Sequence, residues 1–378
     1  MTGGGAERVA SVLAGDLSQE FNLHVVLFNG PVDYTLPSGI QLHFLRREPH
    51  NRLWRLLGLF TICFRYRKFC RRHQIQVSLS FDNLANYINA TLSLLKSNRT
   101  RIILSERNPP SVRYHGLQSL AFLHSILIRW LYPKANAIIP CSKGIGYDLQ
   151  KQFDLSSKNI IPVYSPIPVD AIINKKGENV VANETPFAFI HVGNFREQKN
   201  HAFLIHAFYQ FNQPDTELWL VGKGPLQKSC REEVKRLGLE QRVIFHDFQS
   251  NPYELMGRAH CMVLYSRYEG FPIVLLEALV CSLPVISSDC PYGPREILAP
   301  DSPVEKSLRS GMEMAEYGIL IPVGDRETLI AAMRKMHEDH ALRKQYQAKA
   351  LSRAMVYDHR HITPLFANII GSLAKPVS

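Results

Sequence analysis

"EGFPIVLLEA", residues 269–278, sets two glutamates, Glu269 and Glu277, eight positions apart around a glycine, a proline and an apolar run. Pro272 has no N–H to lose and a φ that suits a first helical turn, so a helix is expected to start near it. Glu277 then lies about one and a half turns into that helix. The backbone N–H groups of Phe271, Ile273 and Val274 fall at the helix's positive end, where phosphate is favoured. Gly270 supplies the turn. Glu277 can accept two hydrogen bonds from ribose hydroxyls. Glu269 can meet a sugar hydroxyl and stabilise positive charge developing at an anomeric carbon. The spacing therefore brackets a nucleotide-sugar. The plainer alternative is a loop entering a core helix, with Glu277 merely exposed.

Outward from this stretch, short β-rich runs alternate with helical ones. In the second half, strands are expected at 187–193, 217–222, 242–248, 261–266 and 284–289, with helices at 201–211, 226–238 and 272–282. In the first half, strands are expected at 23–28, 76–81 and 100–105, with helices at 6–19 and 144–153. Such alternation indicates βαβ units and parallel sheets. Two series of them predict an α/β chain of two doubly wound, Rossmann-like domains, with a ligand cleft between them beyond the strand C-termini. The Pro- and Asn-rich stretch 160–186 marks the seam. We expect an N-terminal domain over 1–172, a linker over 173–186, a C-terminal domain over 187–355, and a helical tail over 356–378 packing back toward the first domain. The chain opens on "MTGGGAERV", a glycine turn and helix with no strand ahead of it, so the first strand of the N-terminal sheet is expected to be missing.

Other segments carry possible phosphate chemistry. "HVGNFREQKN" (191–200) ends a strand at Val192, turns at Gly193 beside Asn194, then places Arg196 and Lys199 before a helix; two cations there suit a diphosphate. "VGKGP" (221–225) sets Gly222 and Gly224 in a βα turn that can admit a nucleotide. Gly4 and Gly5 begin the first helix, where backbone N–H groups can approach an anion.

Together these stretches, with "CSKGIGYDL" (141–149), "FHDFQSNPYELM" (245–256) and "SDCPYGPREI" (288–297), resemble the retaining glycosyltransferases of family 4, which have the GT-B fold. The spacing of Glu269 and Glu277 is similar to that family's Glu-x7-Glu motif. The resemblance covers nearly the whole chain. It implies a C-terminal domain for the nucleoside diphosphate sugar and an N-terminal domain for the acceptor. It further implies Lys199 on the diphosphate, Glu277 on the ribose and Glu269 at the transferred sugar. Phe248 would lie by the base, and Gly4 and Gly5 by the phosphates from the opposite domain. Asn194 stands where the family usually has arginine, a role Arg196 is placed to take. Glu106, with Arg107, occupies a strand end where many relatives carry a functional histidine. It is an acceptor-side candidate, the alternative being a structural salt bridge. The "SDCPYGPREI" form looks most like enzymes that move N-acetylgalactosamine, galactose or related sugars in polyprenyl-linked oligosaccharide assembly.

Composition sets the frame. A chain of 378 residues, 46% hydrophobic and 20% charged, is long enough for two domains with real cores. Its seven cysteines form no CxxC pair, so neither a zinc nor a redox site is indicated. No metal or other cofactor is expected; the nucleotide-sugar is a substrate. Residues 1–172 carry 20 Lys+Arg against 10 Asp+Glu, and the remaining residues 24 against 23, so the basic excess sits in the first half. Within it, residues 46–73 hold nine Arg or Lys and one Glu around Leu53, Trp54, Leu56, Leu57, Leu59, Phe60, Ile62 and Phe64. That pattern suits a helix on an anionic membrane surface, and 117–135 is a second apolar stretch ending in Trp130, Tyr132 and Lys134. The bland alternative is two amphipathic domain helices with solvated arginines.

With no long uncharged apolar run and no signal-peptide pattern at the start, the expectation is a cytoplasmic protein, peripheral on the inner face of the plasma membrane. The sequence thus points to a retaining transferase moving a hexose or N-acetylhexosamine from a UDP-sugar to a lipid-linked or envelope glycan. A sugar-nucleotide epimerase or an inactive GT-B relative is the alternative; UDP-sugar consumption without an acceptor favours epimerisation or hydrolysis. A nucleic-acid-binding protein is remote, because no RNA motif or zinc finger accompanies the charge. No nucleic-acid partner is expected.

Overall fold

The structure is a computed structural model that describes residues 4–28, 30, 36, 39–45, 53–94, 99–113, 118–177 and 186–375, without the side chains of 53–60 and 118–120. The chain divides into two compact units, one of residues 1–166 with 359–378, the other of 167–358.

The first unit runs α1 (Gly5–Leu17), β1 (His24–Leu27), β2 (Gln41–Phe44), α2 (Leu53–Arg72), β3 (Val77–Phe81), α3 (Asn83–Thr91), β4 (Arg101–Glu106), α4 (Pro110–Arg113), α5 (Gln118–Leu131), β5 (Ala137–Pro140) and α6 (Lys143–Phe153). Its described strands form two parallel sheets, β1 with β2, and β3–β4–β5. The three-stranded sheet is the buried one: Ile102, Ile103 and Leu104 of β4 are all but inaccessible. β4 and β5 are buried nearly throughout, as strands of a parallel sheet covered by helices are, while β3 alternates. Polar side chains of α3 lie on it: Asn89 donates to the Ser78 and Ile103 carbonyls at 3.0 and 3.2 Å, and Asn86 to the Ser105 carbonyl at 3.1 Å. Buried amides are stable only when so partnered.

The second unit runs α7 (Val169–Lys176), β6 (Phe187–Val192), α8 (His201–Phe211), β7 (Thr216–Val221), α9 (Gln227–Arg236), β8 (Val243–His246), α10 (Tyr253–Arg258), β9 (Cys261–Leu264), α11 (Ile273–Val280), β10 (Val285–Ser288), α12 (Pro294–Leu298), β11 (Glu313–Ala315), β12 (Gly318–Ile321), α13 (Arg326–Glu338) and α14 (His340–Met355). α7 lies inside the Pro- and Asn-rich seam and belongs to this unit. One sheet of order β11–β12–β10–β9–β6–β7–β8 forms its centre, parallel except for β11. Phe189, Phe208, Phe211 and Leu220 pack its core, with Met333 and Met336 of α13.

From β6 the chain first winds outward through β7 and β8. It then returns to β6's other side for β9 and winds the opposite way. The reversal lies between β6 and β9, the switch point where open parallel sheets bind ligands. Being parallel, β6, β7, β8, β9 and β10 all end at one edge.

The last helix, α15 (His359–Ala374), returns to the first unit. Asp16 of α1 accepts from Thr363 Oγ1 at 2.6 Å and pairs with His359 Nδ1 at 2.9 Å. No helix among the described residues is long and apolar enough to cross a membrane.

Candidate active site

The turns after β6 and β7 meet backbone to backbone. Phe195 N donates to the Lys223 carbonyl at 3.0 Å and Leu226 N to the Phe195 carbonyl at 3.1 Å. A Cβ at Gly222 would overlap the Gly193 carbonyl, and one at Gly224 the Phe195 main chain. Gly222 also has φ +144°, which side chains rarely adopt. These glycines therefore fix the loop that carries Asn194, Arg196 and Lys199. Asn194 uses its carbonyl to accept from Arg196 N at 2.8 Å. The Arg196 side chain is exposed and has no polar partner among the described residues. Lys199 turns inward instead.

Across the switch point, the loop after β9 brings Glu269 to it. Lys199 Nζ lies 2.6 Å from Glu269 Oε1, with the two side chains 17% and 7% exposed. Ser266 Oγ donates to the same oxygen at 2.6 Å, while Gln198 Nε2 reaches Glu269 Oε2 at 3.4 Å and the Tyr268 carbonyl at 2.9 Å. Glu269 N donates to the Pro291 carbonyl at 2.8 Å, and Tyr292 N to the Glu269 carbonyl at 2.9 Å. The carboxylate is thus held by the loops after β6 and β9, and its main chain by the loop after β10. The pair sits largely out of water, where the attraction between its members is strongest.

Beneath Lys199 lie two buried imidazoles. His191 Nδ1 donates to the Val263 carbonyl at 2.8 Å, which fixes its tautomer and leaves Nε2 as a lone pair without a partner among the described residues. Burial, opposed by that hydrogen bond and aided by Lys199, lowers its pKa to about 4. His201 stacks on Phe195 with ring centroids 4.1 Å apart, and burial together with His191 and Lys199 lowers its pKa to about 2. Both rings are neutral at physiological pH.

The motif helix begins where its sequence predicts. Pro272 is the N-cap of α11 and Gly270 leads into it. Gly293, at φ +95°, packs its bare Cα against Gly270, Phe271 and Pro272, where a Cβ would clash. The N–H groups of Ile273 and Val274 have no partner among the described residues, as befits a helix start. Phe271 is buried against Tyr357, with ring centroids 5.2 Å apart. Glu277 is 5% exposed rather than solvated, with Tyr253 Oη 3.4 Å from its Oε1. The alternative of a merely exposed Glu277 does not hold.

At the same edge, beyond β8, Phe248 is 41% exposed and Lys223 Nζ sits 4.4 Å above its ring. Behind the "SDCPYGPREI" turn, Arg295 pairs with Asp289 at 2.6 Å and with Glu313 at 3.1 Å. Asp289 also accepts from Leu308 N at 2.7 Å. This pair braces the turn that touches Gly270.

In the first unit, Gly4 caps α1 with extended backbone, Gly5 begins that helix, and the Glu7 carboxylate folds over Gly4. Glu106 ends β4 and is fully buried, accepting from Tyr132 Oη at 2.6 Å and Arg107 N at 3.2 Å. Burial, outweighing the Tyr132 hydrogen bond, raises its pKa to about 7. Glu106 has no cation within ion-pair distance among the described residues; the salt bridge nearby is Arg113 with Asp82.

The structure therefore brings Lys199, Glu269, Gly193, Gly222, Gly224, Gly270 and the α11 start to one edge of the second unit. Gly4, Gly5 and Glu106 belong to the first. Sequence reasoning missed Ser266, Gln198 and His191, whose only signal is their place at a strand end or three residues from a motif glutamate.

Two family descriptions match the chain: glycosyltransferase family 4 over residues 3–171 and glycosyl transferases group 1 over 173–353. An N-acetylgalactosamine-N,N'-diacetylbacillosaminyl-diphospho-undecaprenol 4-alpha-N-acetylgalactosaminyltransferase of Campylobacter jejuni is 33% identical over 357 residues, 94% of this chain and 93% of that one. Among solved structures, Anabaena HepE in complex with UDP-glucose has a TM-score of 0.76 at 19% identity, covering 98% and 97% of the two chains. Sucrose-phosphate synthase from Thermosynechococcus elongatus has a TM-score of 0.81 at 16% identity, covering 98% and 94%.

Proposed function

Since the chain belongs to the group 1 and family 4 glycosyltransferases, an enzyme class with the GT-B fold, we propose that it is a retaining transferase using a UDP-sugar. It moves a hexose or N-acetylhexosamine onto a hydroxyl of a lipid-linked or envelope glycan. The observation that carries this reading is the Lys199–Glu269 pair at the switch point, beside the start of α11. The relative's printed acceptor, a diphospho-undecaprenol-linked sugar, supports the lipid-linked class.

In this mechanism the anomeric C–O bond breaks and the diphosphate leaves with the electron pair. Lys199, Arg196 and the N–H groups of Ile273 and Val274 take up its charge, the kind of preorganised stabilisation that lowers such barriers most. Glu277 holds the ribose hydroxyls and Phe248 flanks the base. Glu269 faces the transferred sugar and stabilises positive charge at the anomeric carbon. The acceptor hydroxyl attacks on the departing side, forming the new C–O bond, and its proton passes to the leaving oxygen of the diphosphate, so the anomeric configuration is kept. Glu106 is the acceptor-side carboxyl of the first unit. The protein works in the cytoplasm, peripheral on an anionic inner membrane face to which residues 46–73 contribute. Residues 46–52 lie outside the described residues, as do the side chains from Leu53 to Phe60.

The test is a thermal-shift screen with UDP-, GDP- and ADP-sugars on the wild type and Glu277→Ala. The expected result is stabilisation by UDP-sugars that the variant loses. Equal shifts in both proteins would remove Glu277 from the donor site. The anomeric proton coupling of the product then reports retention, and an inverted product would overturn the mechanism.

A further inference from the structure

Helix α5 presents an apolar face that is exposed among the described residues. Phe122, Leu123, Ile126 and Trp130 are 69%, 51%, 46% and 55% exposed. Positions 122, 126 and 130 fall four apart and so form one stripe along the helix. The opposite side is spent on the fold, with Ile128 and Leu131 buried. Folding does not require the outer stripe to be apolar, and a run of large exposed side chains marks an interaction surface.

Charge says what kind. α3 packs against both α2 and α5, and these three helices contain no Asp or Glu. α2 alone contributes Arg55, Arg65, Arg67, Lys68, Arg71 and Arg72, and α5 contributes Arg129. Phe64 of α2 is 67% exposed and Leu84 of α3 47%. Lys134 Nζ stands 5.5 Å above the Trp130 ring, a cation and an indole at one end of the stripe. A second copy of this chain would bring the same cations face to face in a two-fold interface, which is repulsive. An anionic bilayer offers both needed partners: hydrocarbon for the stripe and phosphates for the arginines, with Trp130 at the boundary.

We propose that the α5 face docks on an anionic lipid bilayer, inserting Phe122, Ile126 and Trp130. The proposal deepens the membrane reading above and rests on it, moving the apolar anchor from residues 46–73 to α5 and leaving α2 as the electrostatic partner.

The experiment is co-sedimentation of the full chain with vesicles of phosphatidylcholine alone or mixed with phosphatidylglycerol. Wild type should bind the mixed vesicles, more weakly as salt rises, with a blue shift in emission that Trp130→Phe abolishes. The double variant Phe122→Ser, Ile126→Ser should bind about tenfold more weakly or worse, while melting like wild type. Undiminished binding by the double variant overturns the proposal. So does a wild type that is dimeric in solution while the double variant is monomeric, which assigns the face to a second copy. UDP release with detergent-dispersed lipid-linked acceptor should be equal in both proteins. No release from either, with vesicle binding intact, would break the functional reading and leave the docking face standing.

Discussion

Two carboxylates stand beyond strand ends in opposite settings. Glu269, in the loop after β9, has Lys199 Nζ at 2.6 Å and the Ser266 hydroxyl beside it. Glu106, ending β4, is more deeply buried and has the Tyr132 hydroxyl and a backbone N–H, with no cation at that distance among the described residues. The first arrangement is an ion pair; the second raises the pKa to about 7 and leaves a group that exchanges its proton near neutrality. A carboxylate already paired with a cation suits a site that meets a cationic transition state. A titrating one suits a site that handles a hydroxyl proton.

The largest test of this contrast is at Glu269. Glu269→Gln should lower turnover about 10²–10⁴-fold, measured as UDP release, with little change in melting temperature. Activity within a few-fold of wild type would remove Glu269 from the chemistry. Lys199→Met should be the more destabilising change, about 2–4 kcal/mol, because it leaves Glu269 buried without its cation. Chemical unfolding of Lys199→Met with and without Glu269→Gln reads the coupling. If the second change restores no stability, the pair is not acting as a charged unit.

A middle-sized effect is expected from Glu106. Its folded pKa of about 7 lies above the ordinary 4.5. Between those values the folded state keeps a proton that the unfolded state has released, so stability falls as pH rises through that window. Glu106→Gln should flatten the fall and gain about 1–3 kcal/mol at pH 8 relative to wild type. Parallel pH–stability curves for the two proteins would show that Glu106 does not titrate as described. The smallest effect belongs to Phe248, whose replacement by Ala should weaken UDP binding about 2–10-fold by calorimetry. Unchanged affinity would take Phe248 out of the base site.

Much of the second unit was legible because its central strands are short, largely apolar runs, two of them closed by glycine, "FAFIHVG" and "ELWLVG". The motif helix was legible because proline and glycine punctuate its start. β2 was not, since Gln41, Leu42 and Phe44 are exposed and a four-residue strand has no apolar period to read. β5, "AIIP", is cut short by Pro140, and β11 and β12 pair only through a tight hairpin. α7 hid in a stretch whose prolines and lysines read as linker. In the candidate site, Glu269 and Lys199 stood out by their positions beside glycine turns. That they touch each other did not, because their contact spans 70 residues and depends on β9 pairing with β6. The same strand order brings Gln198 to Tyr268, which no local pattern signals.

The main-chain contact between the turns after β6 and β7 has a consequence of its own. Lys199 is aimed by peptide groups and by two absent side chains, at Gly222 and Gly224, rather than by the residues around it on its loop. The side chains at positions 194, 196 and 197 are therefore free to vary without moving the lysine. A loop built this way separates aim from taste: two glycines set where the charge points, and the neighbouring positions remain open for selecting what it points at.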